Sequence, residues 1–163
     1  MAREFVLSAA GITLAGATTL LFVNPAAAPN FNLEFLRFWA GQSANATSAQ
    51  QRVQLVTQVT AFPTLTSATP AKTKRADPNV SIIVGGTAGA AGTCGINAAA
   101  EGAGTKTPVW EDAFNVLNGW LHVPTPPETI VMPAGSTSGL GLFFPVAPAT
   151  LTNWAFGTVF REV

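Results

Sequence analysis

Between Arg52 and Ala61 the chain alternates between apolar and polar side chains with a period of two. One set of alternate positions carries Val53, Leu55, Thr57, Val59 and Ala61. The intervening set carries Arg52, Gln54, Gln58 and Thr60, with Val56 as the exception. Because successive side chains of a strand point to opposite faces, this pattern predicts a half-buried antiparallel strand that Pro63 ends.

Shorter runs of β-branched, aliphatic and aromatic residues, separated by glycine and proline, predict further strands. They occupy 30–41, 80–84, 119–123, 129–132, 140–144 and 153–163. In the last run Trp154, Phe156 and Phe160 share one face. No amphipathic helix longer than about two turns is visible, and 108–118 is a short helical turn or a strand. The pattern predicts an all-β, single-domain antiparallel sandwich over residues 1–163, most economically a jelly roll of about eight strands with long Gly/Pro-rich loops.

The N-terminal stretch 5–29 contains no charged residue, which leaves three interpretations open. A secretory signal is opposed by Glu4, which cancels Arg3 in the leading region. A cleavage motif is visible at Ala26–Ala28, but Pro29 would follow the cut. A membrane anchor is opposed by the serine, threonine and glycine residues that dilute the apolar run.

The third interpretation, strands of a protein core, agrees best with the residue types of this stretch. The segment 3–8 is short and its residue types are suited to a strand, and the segment 18–23 is rich in threonine and large apolar residues. Asn24-Pro25 then provides a stop. We therefore predict that Phe5 to Val23 is β-structured and packed against protein.

A glycine- and alanine-rich stretch at 85–106 follows the predicted strand 80–84. It resembles a phosphate-binding loop in composition, but it lacks the Gly-Lys-Ser/Thr ending of a P-loop and the glycine spacing of a dinucleotide-binding turn. We therefore interpret 85–106 as a long flexible or interface loop.

The composition describes a protein with few charges. Only 10% of the 163 residues are charged, against about 25% in an average soluble domain, while 48% are hydrophobic. The formal net charge is zero, so there is no global field to attract nucleic acid or an anionic membrane. The one charge cluster, Lys72 to Pro78, is interpreted as a solvated loop. Such a chain would be a poorly solvated monomer, and we expect partners to cover much of its surface.

Candidate chemistry is sparse. Cys94 and His122 are the sole cysteine and histidine, so Cys94 cannot form an intramolecular disulfide and the two residues give no metal set. The adjacent carboxylates Glu111 and Asp112 are expected to diverge in a loop. The four tryptophans, scattered over separate segments, are interpreted as core and interface anchors. We expect no enzyme, no cofactor and no metal site.

Several segments, taken in order, resemble a known family. They are 38–43 (FWAGQS), 48–55 (SAQQRVQL), the Pro-rich loop 72–78, 114–120 (FNVLNGW), 124–128 (PTPPE) and the closing 160–163 (FREV). This order resembles the jelly-roll capsid cement (decoration) proteins of tailed bacteriophages. The resemblance implies a structural virion protein on the capsid surface, assembled in the host cytoplasm. It would clamp neighbouring major capsid proteins, often as a homotrimer.

The predicted contact elements are the N-terminal segment 1–29 and the loop 85–106. Their contact residues are predicted to be Phe5, Val6, Leu7, Gly85, Gly86, Cys94 and Ile96. The alternative function is a secreted or tail-associated carbohydrate-binding sandwich that uses Trp110 or Trp120. A cupin-like enzyme would need a cluster of histidine and carboxylate ligands, which one histidine does not supply.

Overall fold

In the computed structural model the chain forms two β-sheets packed face to face, and the structure describes residues 3–27, 31–43, 47–74, 76 and 78–163. The described strands are β1 (Arg3–Ile12), β2 (Thr18–Val23), β3 (Leu33–Gln42), β4 (Gln50–Val59), β5 (Thr64–Ser67), β6 (Ala71–Lys72), β7 (Val84–Gly85), β8 (Thr93–Ala100), β9 (Thr105–Asn115), β10 (Trp120–His122), β11 (Ile130–Met132), β12 (Ser138–Phe144) and β13 (Trp154–Glu162). A single 3-10 turn, Pro126–Glu128, precedes β11. Eight of these strands have six or more residues, and the described part of the chain contains no α-helix.

The strands divide into two sheets. Sheet A has the order β10–β3–β13–β1–β6, and β11 pairs with β3 beside β10. Sheet B has the order β5–β8–β2–β12–β4–β9, and β7 pairs with β8. Every pairing is antiparallel except the two-residue contact of β7 with β8. The predicted all-β antiparallel sandwich is confirmed, while the jelly-roll arrangement stays a prediction.

Large aromatic side chains fill the space between the sheets. The fully buried ones include Phe5, Phe35, Phe38, Phe144, Trp154, Phe156 and Phe160. Trp154, Phe156 and Phe160 lie on one face of β13, as the sequence pattern predicts. Each buried aromatic ring removes about 150–250 Å² from water, so these residues dominate the stability of the sandwich.

The N-terminal stretch forms β1 and β2, so the prediction of strands is confirmed. Every residue of β2 is buried. One face of this strand points into the main core, and Phe22 on the other face packs with Leu65, Ala98 and Phe62 in a second cluster. The proposed cleavage site falls on Ala28 and Pro29, which lie outside the described residues. No helix in the described residues is long and apolar enough to cross a membrane.

The interpretation of 85–106 as a loop is wrong, because this range contains β8, which pairs with β2, β5 and β7. The predicted strand 80–84 is also corrected, since only Val84–Gly85 pairs there. Glycine allows the backbones to approach one another closely in this region. A Cβ on Gly95 would lie 2.7 Å from the Cβ of Leu65 and 2.8 Å from the carbonyl oxygen of Gly86.

The strand predicted at 52–61 is present as β4, but its predicted faces are only partly right. Val53 and Leu55 are buried as expected, whereas Val59 is 45% exposed and Ala61 is also exposed. Gln58, predicted on the polar face, is fully buried, and its side-chain amide donates to the carbonyl oxygens of Ala61 and Glu101. The simple alternation fails at Gln58 because the carbonyl groups of Ala61 and Glu101 lie over this part of the outer face and accept its amide.

A buried carboxylate anchors the 78–83 loop to the sandwich. Glu162 accepts hydrogen bonds at Oε1 from the Ser81 hydroxyl (2.6 Å) and the Ile82 N–H (2.9 Å). Its Oε2 lies 2.9 Å from Nη2 of Arg3, an ion pair whose angle departs from hydrogen-bond geometry. The predicted charge cluster at Lys72–Pro78 can be located only in part, because Arg75 and Asp77 lie outside the described residues.

Substitution Glu162→Ala should lower the free energy of unfolding by about 2–4 kcal/mol, because it leaves Arg3 without its counter-charge and removes two hydrogen bonds. Urea unfolding would measure the change. Glu111→Ala is the matched control: its pair with Arg52 is 3.7 Å long and half exposed on both sides, and its loss should cost less than about 1 kcal/mol. Equal losses in the two variants would contradict the prediction.

Candidate functional site at the sandwich edge

Three of the seven contact residues predicted from the sequence are buried inside the fold. Phe5 and Leu7 point into the core from β1, and Cys94 is buried in β8. Burial raises the pKa of the Cys94 thiol to about 12, and its Sγ donates to the carbonyl oxygen of Ala68 at 3.1 Å. These three side chains are therefore closed to a partner, and the predicted contact at these positions is corrected. The inner face of β1 could be recognised only once its pairing with β13 was known.

The other four predicted contact residues lie nearer the surface. Val6 is half-buried, and Ile96 is half-buried against the core. Gly85 and Gly86 are half-buried in close contact with neighbours, since a Cβ would lie 2.5 Å from the Ser67 hydroxyl and 2.7 Å from the Thr93 Cβ, respectively. The structure therefore does not bring the seven residues together on one open surface.

A different surface is formed where both sheets end on the same side of the molecule. β9 is the last strand of sheet B, and β10 and β11 form the last row of sheet A. The indole N–H of Trp120 donates to Oδ2 of Asp112 at 3.1 Å, which joins β10 to β9. The rings of Trp110 and His122, which are 4.5 Å apart at their centroids, make a second connection between the same strands.

His122 lies between two indole rings at this edge. Its ring is stacked on that of Trp120 at 5.8 Å with an interplanar angle of 7°, and it also contacts Trp110. Burial lowers the pKa of His122 below its ordinary value, and the negative charges of Glu128 and Asp112 oppose this shift. The burial effect is the larger one, so the imidazole is neutral at pH 7.

The free edge of β9 is protected against the addition of another strand. The N–H of Ala113 donates to the side chain of its neighbour Asp112 at 2.7 Å, so this donor is already occupied. Pro108 has no N–H, and the pairing with β4 shifts by one residue at Val109. Proline, bulges and charged groups are the devices that block edge-to-edge pairing. A partner on this side would therefore meet side chains and not a free backbone ladder.

Glu111 and Asp112 lie in a strand and not in the loop that the sequence suggested. Asp112 points toward Trp120, whereas Glu111 contacts the side chains of Gln54 and Arg52 on the opposite face. The expectation that the two carboxylates diverge is confirmed, with strand geometry as the reason.

Six large apolar side chains are exposed around this edge. They are Val109, Trp110, Leu117, Leu121, Val123 and Val131, which we call the apolar side. Leu121 is 65% exposed and lies opposite Trp39 in the pairing of β10 with β3. The two side chains border an open groove of about 290 Å³ whose floor contains Gly41 and Ala155. The alternation of Leu121 with Trp120 and His122 is the sequence signal that could have indicated an outward-facing leucine.

The tryptophans proposed for sugar binding differ in accessibility. Trp120 is only 8% exposed, and its N–H is engaged by Asp112, so it offers no platform for a sugar ring. Trp110 is 39% exposed. Among the described residues, no group of three or more histidine, cysteine, aspartate or glutamate side chains could hold a metal ion.

Comparisons with known proteins give no relative: no family model matches the chain, no curated protein is similar to it, and no solved structure matches its fold.

The lowered pKa of His122 predicts a pH-dependent stability. The unfolded histidine titrates near 6.5 and the folded one below that value, so the unfolded state binds more protons between the two. The free energy of unfolding should stay level above pH 6.5 and fall as the pH is lowered through it. Urea unfolding at about pH 7.5 and about pH 5.5 measures this, before most carboxylates titrate.

His122→Gln removes the titrating group and should abolish most of this pH dependence, whatever its effect on stability at neutral pH. A variant that loses stability between the two pH values as much as the parent protein would show that another group is responsible.

Proposed function

We propose that the chain is a non-enzymatic structural protein of a phage virion, a capsid cement or decoration protein that binds between major capsid proteins and stabilises the head. The observation that carries this proposal is the apolar side: six large apolar side chains are exposed on the strands and connections at the edge where both sheets end. Such a patch on a chain with only 16 formally charged residues favours burial against another protein.

The chemistry of this surface also indicates how the partner is held. The β9 edge is protected, so the contact is made by side chains, and Leu121, Val123 and Trp110 are its most prominent apolar elements. An exposed tryptophan is a residue type that often anchors a protein–protein contact, and the exposed leucine adds apolar area to it. The partner that we propose for the apolar side is an apolar surface of the major capsid protein.

Self-association belongs to the same proposal. Each copy offers one apolar side, and a homotrimer would present three of them to the shell, so that weak contacts reinforce one another through effective concentration. Light scattering of the purified protein should give about three times the mass of the 16.8 kDa chain. A monomer at micromolar concentration would contradict this part of the proposal.

Substitution Leu121→Asp should reduce the occupancy of purified particles at least about tenfold, because it places a charge on the most exposed side chain of the apolar side. Occupancy is measured as the ratio of this chain to the shell protein, which we expect to be comparable in the unmodified particle. Val80→Asp is the matched control, since Val80 is 72% exposed in the 78–83 loop, outside the apolar side. Unchanged occupancy of the Leu121→Asp variant would refute the assigned surface, and absence of the chain from particles would refute the function.

Attachment should survive a wash with 1 M salt. At that concentration the screening length falls to about 3 Å, so a contact made by charges would weaken strongly, whereas apolar contacts persist. None of the six side chains of the apolar side is charged. Sedimentation of washed particles followed by gel quantification measures retention, and release by salt alone would contradict an apolar attachment.

A further inference from the structure

Sheet A has a second edge, opposite the apolar side, where its last long strand is β1. The short strand β6 covers only the beginning of β1, because it pairs with Phe5 and Val6 alone. β6 begins directly after Pro70, which has no N–H, and the chain before it comes from β5 in the other sheet. From Leu7 to Ala10, β1 therefore pairs with β13 on one side and, within the described residues, with no strand on the other. We call this stretch the open edge.

The backbone groups that the open edge offers follow from a hydrogen bond to its neighbour. The carbonyl oxygen of Glu4 accepts the N–H of Thr73 at 3.2 Å, so the backbone groups of Glu4 face β6. Because successive residues of a strand direct these groups to alternate sides, those of Ser8 and Ala10 face the same way, whereas those of Ala9 face β13. Ser8 and Ala10 are exposed, and no described residue bonds to their outward N–H or C=O groups. Two donors and two acceptors of the backbone are thus left for a partner.

The open edge lacks the features that usually keep other strands away. No residue from 5 to 29 except Pro25 and Pro29 is a proline, none is charged, and the side chains of Ser8 and Ala10 are small. The register with β13 shifts only between Ala9 and Ile12, where Gly11 has a φ of 70°. Charge, proline and bulges are the usual protection of a sheet edge, so the open edge differs from the protected edge of β9.

The two faces of the open edge indicate which side chains an added strand would carry. Ala9 lies on the same face of β1 as Phe5 and Leu7, is half-buried and packs against the main core. The residue opposite Ala9 on an added strand would lie beside it and extend the core, which favours an apolar side chain there. The residues opposite Ser8 and Ala10 would lie on the solvent face beside small neutral groups. An extended, uncharged segment with an apolar central residue matches these features.

We propose that the open edge binds such an extended segment of a partner polypeptide, which adds to sheet A as an antiparallel strand. Its backbone pairs with Ser8 and Ala10, and one apolar side chain lies beside Ala9. All other pairings of sheet A are antiparallel as well. The inference goes beyond attachment through the apolar side and does not depend on it, because it concerns the opposite edge of the sheet and main-chain hydrogen bonds.

Hydrogen exchange of the full ¹⁵N-labelled chain, followed by NMR, tests whether the edge is open. The amides of Ser8 and Ala10 should exchange at least about 100-fold faster than the amide of Ala9, which faces β13. Slow exchange of Ser8 and Ala10 in the purified protein would show that the edge is already occupied and would overturn the proposal.

The probe for binding is the blocked peptide Ac-TSTVTST-NH₂, whose valine is designed to lie opposite Ala9. Titrated into the labelled chain, it should give saturable shifts of the Ser8 and Ala10 amides with a dissociation constant near about 1 mM. N-methylation of the two threonines that flank the valine removes the N–H groups that face β1 and should weaken binding at least about tenfold. N-methylation of the valine, whose N–H points away from β1, is the matched control and should leave the affinity within about threefold. Equal affinities of the two methylated peptides, or no saturable shift with the unmodified one, would overturn the proposal.

Two variants at one position locate the site. Ser8→Pro removes an outward N–H without breaking the pairing with β13, and it should weaken peptide binding at least about tenfold. Ser8→Ala keeps this N–H and should bind the peptide like the unmodified protein. Retained affinity in a folded Ser8→Pro variant would refute the assigned edge. If that variant does not fold, the two methylated peptides decide.

Two further measurements separate this proposal from its alternatives. Light scattering should give the Ser8→Pro variant the same mass as the unmodified protein, and a lower mass would assign the open edge to a second copy of the chain and overturn the proposal. Leu121→Asp should bind the peptide like the unmodified protein, so failure of the capsid proposal and failure of this one are distinguishable.

Discussion

The contact between Trp154 and two phenylalanines of the opposite sheet is the interaction on which the rest of the molecule depends. Phe144 on β12 meets Trp154 edge-on at 4.9 Å, and Phe114 on β9 meets it edge-on at 6.4 Å. Edge-to-face geometry places the positive ring edge on the negative ring face, which adds to the apolar burial. Because Phe114 fixes one end of β9 against sheet A, the remainder of β9 lies beside β10. The hydrogen bond between Asp112 and Trp120 and the contact between Trp110 and His122 follow from that placement.

Half of the few charges of the chain are used in ion pairs, and some of these are buried in the fold. Four ion pairs among the described residues engage half of the 16 charged side chains of the sequence. Glu101 is an example of such a charge. The pairing of β2 with β12 is irregular near Thr19, and the Glu101 carboxylate accepts both the N–H and the hydroxyl of Thr19 at 2.6 Å. Lys106 lies 3.1 Å from the same carboxylate. A carboxylate that satisfies a backbone irregularity in this way contributes little to solvating the surface of a chain in which only 10% of the residues are charged.

The sequence predicts the class of fold well wherever a strand buries one face. The alternation of Trp154, Phe156 and Phe160 in β13 needs no tertiary information. The sequence predicts less where other residues cover the outer face, as over part of β4. Gln58 and Val56 are buried there by residues that are distant in the sequence. The small residues of 85–106 are ambiguous in a sequence, since glycine is equally suited to a flexible loop and to strands whose backbones approach closely. The apolar side was missed because β10 is only three residues long, so its alternation alone does not show which of its two faces meets the neighbouring sheet.

An open pocket of about 340 Å³ is lined by loops that include Asn24, Thr60 and Ser136, and it lies beyond sequence reasoning for a different physical reason. Its polar and apolar groups come from four stretches that are brought together only by the pairing of β2 with β12 and of β12 with β4. Neither the unsatisfied side-chain oxygen of Asn24 nor the strained backbone at Thr60, where φ is 56°, has a signature in the residue types alone. Both are consequences of the rigid sheets, which impose on the loops conformations that isolated loops would rarely adopt. The same rigidity that gives one side of the sandwich a fixed apolar surface therefore gives its end a preformed pocket.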